Sequence, residues 1–156
     1  LISNGQVKTL IASHVGLNPT VAKLMNAGAL ELILVPQGTL AEQIRAKGAG
    51  LGGVLTPTGL GTLVQEGKQV IEVDGKKYIL EKPMKADLAI VEATYADTFG
   101  NGVNIGTTRN FNPLMALAAD VVVMGTYEVR EPGKVDPSSV TIHGVLVDYL
   151  VEIVEA

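Results

Sequence analysis

Val35-Pro36-Gln37-Gly38-Thr39-Leu40 runs into Ala41-Glu42-Gln43-Ile44-Arg45-Ala46-Lys47, then Gly48-Ala49-Gly50-Leu51-Gly52-Gly53 and, past Val54-Leu55, Thr56-Pro57-Thr58-Gly59. The stretch leaves an apolar strand, crosses a short amphipathic helix and enters a glycine-dense loop. Glycine supplies positive φ and lets a backbone approach a ligand closely. Five glycines between Gly48 and Gly59 exceed what one tight turn needs. Residues 48–53 also satisfy G-x-G-x-x-G, but the context is reversed. A dinucleotide loop follows a strand and opens a helix, whereas a helix precedes these glycines. Pro57 then disfavours helical geometry at Thr56. Nicotinamide dinucleotide binding is rejected on that ground.

Outward from this stretch the chain reads as α/β. Toward the N-terminus, Val7–Ser13 is a predicted strand, followed by His14. Asn18 caps a helix whose first turn holds Pro19 and which Gly28 ends, with Val21, Leu24 and Met25 as its stripe. Residues 31–35 form a second strand, giving a right-handed βαβ unit. Toward the C-terminus, two strands flank Asp74-Gly75, the preferred pair of a type I′ hairpin turn. Residues 87–93 and 120–124 are core strands, with a turn-rich loop at 97–102 and a helix from Asn112 as its cap. The whole is expected to be one domain, 1–156, a three-layer α/β/α fold with a mainly parallel sheet and an inserted β-hairpin.

Composition bounds the function. The chain has 156 residues, enough for one domain with a sizeable core. A net charge of −4 argues against a nucleic-acid footprint. With no Cys there is neither a disulfide scaffold nor a thiolate metal site. No apolar run approaches the roughly 20 residues of a membrane helix. His14 and His143 stand far apart without a carboxylate cluster, so no metal is expected. No Ser lies in a G-x-S-x-G elbow.

Gln37 is the sharpest candidate, since it follows a strand's carboxyl end, where open α/β sheets place ligands. The alternative is a turn residue whose amide satisfies the loop backbone. Glu42 and Arg45 lie three apart on a helix and can pair. Arg109-Asn110-Phe111-Asn112-Pro113 sets a cation beside a helix N-terminus, which suits an anion and equally suits a plain capped helix with Phe111 as a hydrophobic staple.

These residues resemble the family I CoA-transferase α subunit. The resemblance is carried by Pro36–Glu42, Arg45, Gly48-Ala49-Gly50 and Thr56–Gly59. It continues through Gln65-Glu66-Gly67-Lys68, Leu80-Glu81, Lys85-Ala86-Asp87, Gly100-Asn101 and Arg109–Pro113. It covers nearly the whole chain and is closest to bacterial acetate/acetoacetate-type subunits. It implies a CoA-transferase/ribose-isomerase-like fold. It also implies ping-pong transfer of CoA between a short-chain acyl-CoA and a carboxylate. CoA thioester is then substrate, and no cofactor is held permanently. The nucleophilic Glu is expected on a β-type partner subunit, in a Ser-Glu-Asn-Gly context that this sequence lacks. Gln37 is the implied oxyanion donor. Gly38, Gly50, Gly52, Gly53, Thr56, Arg109 and Asn110 are implied substrate or CoA contacts. An α2β2 or larger hetero-oligomer in the cytoplasm is expected, with no membrane or nucleic-acid partner. Related subunits carry an upstream Gly-Gly-Phe segment that these residues lack, so the domain is expected to be N-terminally incomplete. A sugar-phosphate isomerase and a non-catalytic ligand-sensing domain are the alternatives on the same fold.

Overall fold

β-Branched and aliphatic runs separated by helix-forming segments give a mixed α/β fold with parallel sheets. A computed structural model describes residues 1–154. Its contacts form two compact units: Leu1–Glu42 with Val54–Glu81, and Gln43–Gly53 with the described residues from Lys82 onward.

In the first unit, strand β1 (Thr9–Ala12) pairs in parallel with β2 (Glu31–Leu34), in register from Thr9↔Glu31 to Ala12↔Leu34. Helix α1 (Pro19–Asn26) crosses between them. It starts where expected: the Asn18 side chain accepts the N–H groups of Thr20 and Val21 at 3.1 and 3.4 Å. Pro19 occupies the first turn, where a missing N–H costs nothing. Val21 is its buried anchor, 1% exposed. Gly28, at φ 70°, terminates it. Helix α2 (Gln37–Gly48) follows β2 and passes from the first unit into the second. Strands β3 (Val54–Thr56), β4 (Val70–Val73) and β5 (Lys76–Glu81) form an antiparallel sheet in the order β3-β5-β4. Between β4 and β5, Asp74 and Gly75 both have positive φ, 50° and 74°. That is the type I′ geometry the pair predicts. Lys68 meets the buried Glu81 at 2.7 Å.

In the second unit, β6 (Ala86–Ala93), β9 (Ala119–Thr126) and β11 (Tyr149–Glu152) form a parallel sheet with β9 in the middle. Helix α3 (Asn112–Ala118) lies between β6 and β9 in sequence and packs on both. Strand periodicity puts alternate residues on one face. Ala89, Val91 and Ala93 of β6 therefore join Val122 and Met124 of β9, Ala116 of α3, Ala96 and Ile142 in the core. Three short strands, β7 (Tyr95–Asp97), β8 (Gly102–Val103) and β10 (Val129–Arg130), make a second small sheet. The turn-rich loop before β8 is organised by buried Asp97. Its carboxylate accepts the N–H groups of Phe99 and Asn101 at 3.0 and 2.9 Å, and the Asn101 side-chain amide at 2.9 Å.

One expected detail is corrected. Asn112 does not cap α3. The cap position is Phe111, which makes no side-chain capping bond. The Asn112 side chain instead accepts the N–H of Glu92 at 3.0 Å and donates to the Thr108 carbonyl at 2.9 Å. It ties α3 to β6 rather than satisfying its own helix.

Candidate functional site

Two adjacent parallel strands set the position of Gln37. The β1–β2 ladder continues one step beyond β2, with Val35 N–H donating to Ala12 O at 3.0 Å. Ser13 then leaves β1 and Pro36-Gln37 leave β2 at the same carboxyl edge, where α/β sheets hold ligands. Gln37 is the first residue of α2, not the turn residue weighed as the alternative. The first helical bond runs from Leu40 N–H to Pro36 O at 2.9 Å. The opening N–H groups of a helix lack intrahelical acceptors and carry the positive end of its dipole. Gln37 and Gly38 therefore sit at a backbone suited to developing negative charge. The Gln37 side chain is exposed, and its Oε1 accepts a hydrogen bond from Ser13 Oγ. Its Nε2 has no partner among the described residues. The Gln37 amide thus presents a donor, held by a neighbour, beside a helix N-terminus. His14 is exposed on the same loop, its ring against Gly16.

The glycine-dense loop divides into glycines with a structural reason and glycines without one. Gly48 ends α2 against α3; a Cβ there would lie 2.5 Å from Leu117 Cβ. Gly50, at φ 67°, is a helix stop: Leu51 N–H reaches Ala46 O at 2.8 Å and Gly50 N–H reaches Lys47 O at 3.1 Å. That double bond pattern is the Schellman motif, with glycine in the left-handed position. Gly59, at φ 91°, packs on Val64. Gly52 and Gly53 have no positive φ, and nothing lies within 4 Å of a Cβ placed on Gly52. Gly38 is likewise open. Thr56 closes β3, and its Oγ1 accepts the Thr58 N–H at 3.1 Å, folding the Thr-Pro-Thr-Gly turn on itself. Glu42 and Arg45 are both engaged by neighbours.

Arg109 and Asn110 are neighbours in sequence but line different clefts of the second unit. Arg109, exposed, faces a polar cleft of about 390 Å³ with Tyr95, Asn104, Ser138 and Ser139. Asn110 lines another, of about 460 Å³, with Glu92, Thr107, Thr108 and Asn112. Its Oδ1 accepts the Phe111 N–H and marks the break before α3.

Hydrogen bonds shift several groups near the surface. Hydrogen bonds from Arg130 hold the Glu128 carboxyl below its ordinary range, and the same bonds raise Arg130. The Arg130 guanidinium also lies over the Tyr95 ring, 3.5 Å from its centroid. Asp136 is lowered by the Ser138 hydroxyl, then by the Ser138 N–H and the Ser139 hydroxyl. The hydrogen bond that the Lys85 ammonium donates to the Asp120 carboxylate raises Lys85. Among the described residues no group of three or more His, Asp or Glu could hold a metal ion, and no helix is long and apolar enough to cross a membrane.

Sequence reading missed Ser13. Its signal was available in part, since it stands at the carboxyl end of the other strand of the same βαβ unit. It also missed Asn104, 2% exposed, whose Nδ2 donates to Glu92 O at 2.7 Å and whose Oδ1 accepts from Thr141 at 2.8 Å.

The coenzyme A transferase family model matches residues 1–153. The chain is 50% identical over 151 residues to the acetate CoA-transferase subunit alpha of Escherichia coli strain K12, covering 97% of this chain and 69% of that protein. It is 48% identical over 152 residues to the acetoacetyl-CoA:acetate/butyrate CoA transferase alpha subunit of Clostridium acetobutylicum, covering 97% of this chain and 70% of that one. A solved acyl-CoA transferase of Escherichia coli O157:H7, in a thioester complex with CoA, matches with a TM-score of 0.82 at 26% identity. That match takes in 94% of this chain and only 32% of the solved chain, so the chain spans about a third of that protein's length. With an α/β fold of parallel strands and matches of this length, the chain belongs to the coenzyme A transferase family, where its counterparts are alpha subunits.

Proposed function

We propose that the chain serves a CoA-transferase that moves CoA between a short-chain acyl-CoA, of acetyl, acetoacetyl or butyryl type, and a carboxylate acceptor. A β-type partner subunit supplies the nucleophilic glutamate, in an α2β2 or larger assembly. A cytoplasmic location goes with this reading. The relatives' names support the substrate class. The observation that carries the chemistry is Gln37: a neutral amide donor at the carboxyl edge of β1 and β2, on the N-terminal turn of α2.

The steps are those that the family resemblance implies, with Gln37 in the place of the oxyanion donor. The partner's carboxylate oxygen attacks the thioester carbonyl carbon, and negative charge builds on the carbonyl oxygen. Gln37 Nε2–H donates to that oxygen, with the positive end of α2 behind it. Collapse breaks the C–S bond, releasing CoA thiolate and leaving an acyl-glutamyl anhydride. The thiolate attacks the glutamyl carbonyl, freeing the first carboxylate and forming a glutamyl-CoA thioester. The acceptor carboxylate then reverses the sequence. Covalent catalysis divides one difficult exchange into easier steps. An amide suits the oxyanion because it adds no protonation equilibrium of its own. Gly38, Gly50, Gly52, Gly53 and Thr56 are assigned to the acyl-CoA path. Arg109 and Asn110 are assigned to its anionic groups.

The test is to trap the thioester. The assembled enzyme is mixed with acetoacetyl-CoA, without acceptor, and both subunits are weighed by mass spectrometry. The adduct is expected on a partner glutamate. A CoA adduct on this chain would overturn the assignment of roles.

A further inference from the structure

We infer that Ser13 is a positioning residue for the transfer step: its hydroxyl sets which end of the Gln37 amide faces the reacting carbonyl. This rests on the reading of Gln37 as the oxyanion donor. A primary amide has two ends of nearly the same shape, one donor and one acceptor, and rotation about its last bond exchanges them. Only hydrogen-bond partners choose between them. Here the backbone of Gln37 is fixed by the strand–helix junction, with Val35 bonded to Ala12 and Leu40 to Pro36. Buried Thr39 and Leu40 hold the next turn. The exposed side chain has one bond from the described residues, the one that Ser13 Oγ donates to Oε1.

That bond does two things. It occupies the acceptor end, so the donor end, Nε2–H, is the one left for substrate. It also draws electron density toward Oε1, which makes the N–H a better donor, since hydrogen bonds in series reinforce one another. Ser13 can fill this role because β1 and β2 are parallel and adjacent, so residues following both strands emerge side by side. A hydroxyl can donate or accept, so the developing oxyanion, which needs a donor, selects the arrangement in which Ser13 donates to Oε1, whereas an acceptor-only carboxylate at position 13 would attract Nε2 and turn the amide around.

The experiment is a double-mutant cycle on the assembled two-subunit enzyme, with acetoacetyl-CoA and acetate, using Ser13→Ala, Gln37→Ala and both together. Ser13→Ala is expected to lower kcat on the order of five- to tenfold, the worth of one neutral hydrogen bond. KM for acyl-CoA should hold, and Ser13→Thr, which keeps the hydroxyl, should restore most of the rate. In the Gln37→Ala background, Ser13→Ala should change kcat less than about twofold, because a residue acting through another is silent once that one is gone. Independently of turnover, the Gln37 side-chain amide protons should shift in a nitrogen-edited NMR spectrum of Ser13→Ala and return in Ser13→Thr. An equal loss in both backgrounds, or a loss that Ser13→Thr leaves in full, overturns the role of Ser13 and leaves Gln37 standing. If Gln37→Ala is itself without effect, both readings fall together.

Discussion

At the scale of the residue, Gln37 concentrates the functional argument. Gln37→Ala in the assembled enzyme should lower kcat on the order of 100- to 1,000-fold, the usual loss for one oxyanion donor. Circular dichroism should be unchanged, because the side chain is exposed and its one bond among the described residues is to Ser13. Gln37→Glu should be at least as damaging, since a carboxylate repels the developing charge. Acyl-CoA binding should change less than kcat, because the bond strengthens as charge develops. Steady-state kinetics decide it: a kcat loss under about fivefold, far below a donor's usual effect, reduces Gln37 to a helix-start residue. Its place at a strand's carboxyl end was legible in the sequence, because the apolar run before Pro36 is local information. Its partner was not, because Ser13 lies 24 residues away and only the parallel register brings the two together.

At the scale of the element, α2 separates the roles of the glycines that follow it. Gly50 ends the helix in the left-handed region, whereas Gly52 has ordinary φ and open space around it. Gly50→Ala should therefore cost about 1–2 kcal/mol of stability, the penalty for a Cβ in that conformation. It should appear as a lower denaturation midpoint. Gly52→Ala should leave the midpoint within about 0.5 kcal/mol, so that any fall in its turnover reports close approach of a ligand. The 3₁₀ turn Pro137–Ser139 gives a pH prediction. Asp136 accepts the Ser138 N–H at 3.0 Å, and its pKa is lowered in the folded chain. A lowered carboxylate contributes its stabilisation above the ordinary Asp range and loses it as pH falls through the folded value. The Ser138 and Ser139 amide signals should therefore move on acidification with a midpoint below that of a free Asp. In Asp136→Asn that acid transition should vanish. Asn112 shows the limit of reading an element alone. An Asn-Pro pair signals a helix start, and α3 does start there, yet the side chain is bound to Glu92 and Thr108.

At the scale of the whole molecule, the nucleophile is assigned to a partner. The chain purified alone should then show no CoA transfer from acetoacetyl-CoA to acetate, and adding the β-type subunit should create it. Robust turnover by the chain alone would sink the division of labour. The sequence by itself determined what depends on neighbours a few residues apart: the Asn18-Pro19 start of α1, the Gly28 stop, the Asp74-Gly75 turn and the strand over residues 87–93. These are preferences of φ, ψ and side-chain period, and they act within one turn or one strand. The ordered series of motifs was likewise enough to indicate the family. The tertiary structure alone decided the rest. It set Arg109 and Asn110 on separate clefts, and placed Ser13 on the Gln37 amide. Each of these depends on strand register and on packing between segments tens of residues apart, and no local propensity encodes which distant side chain will arrive.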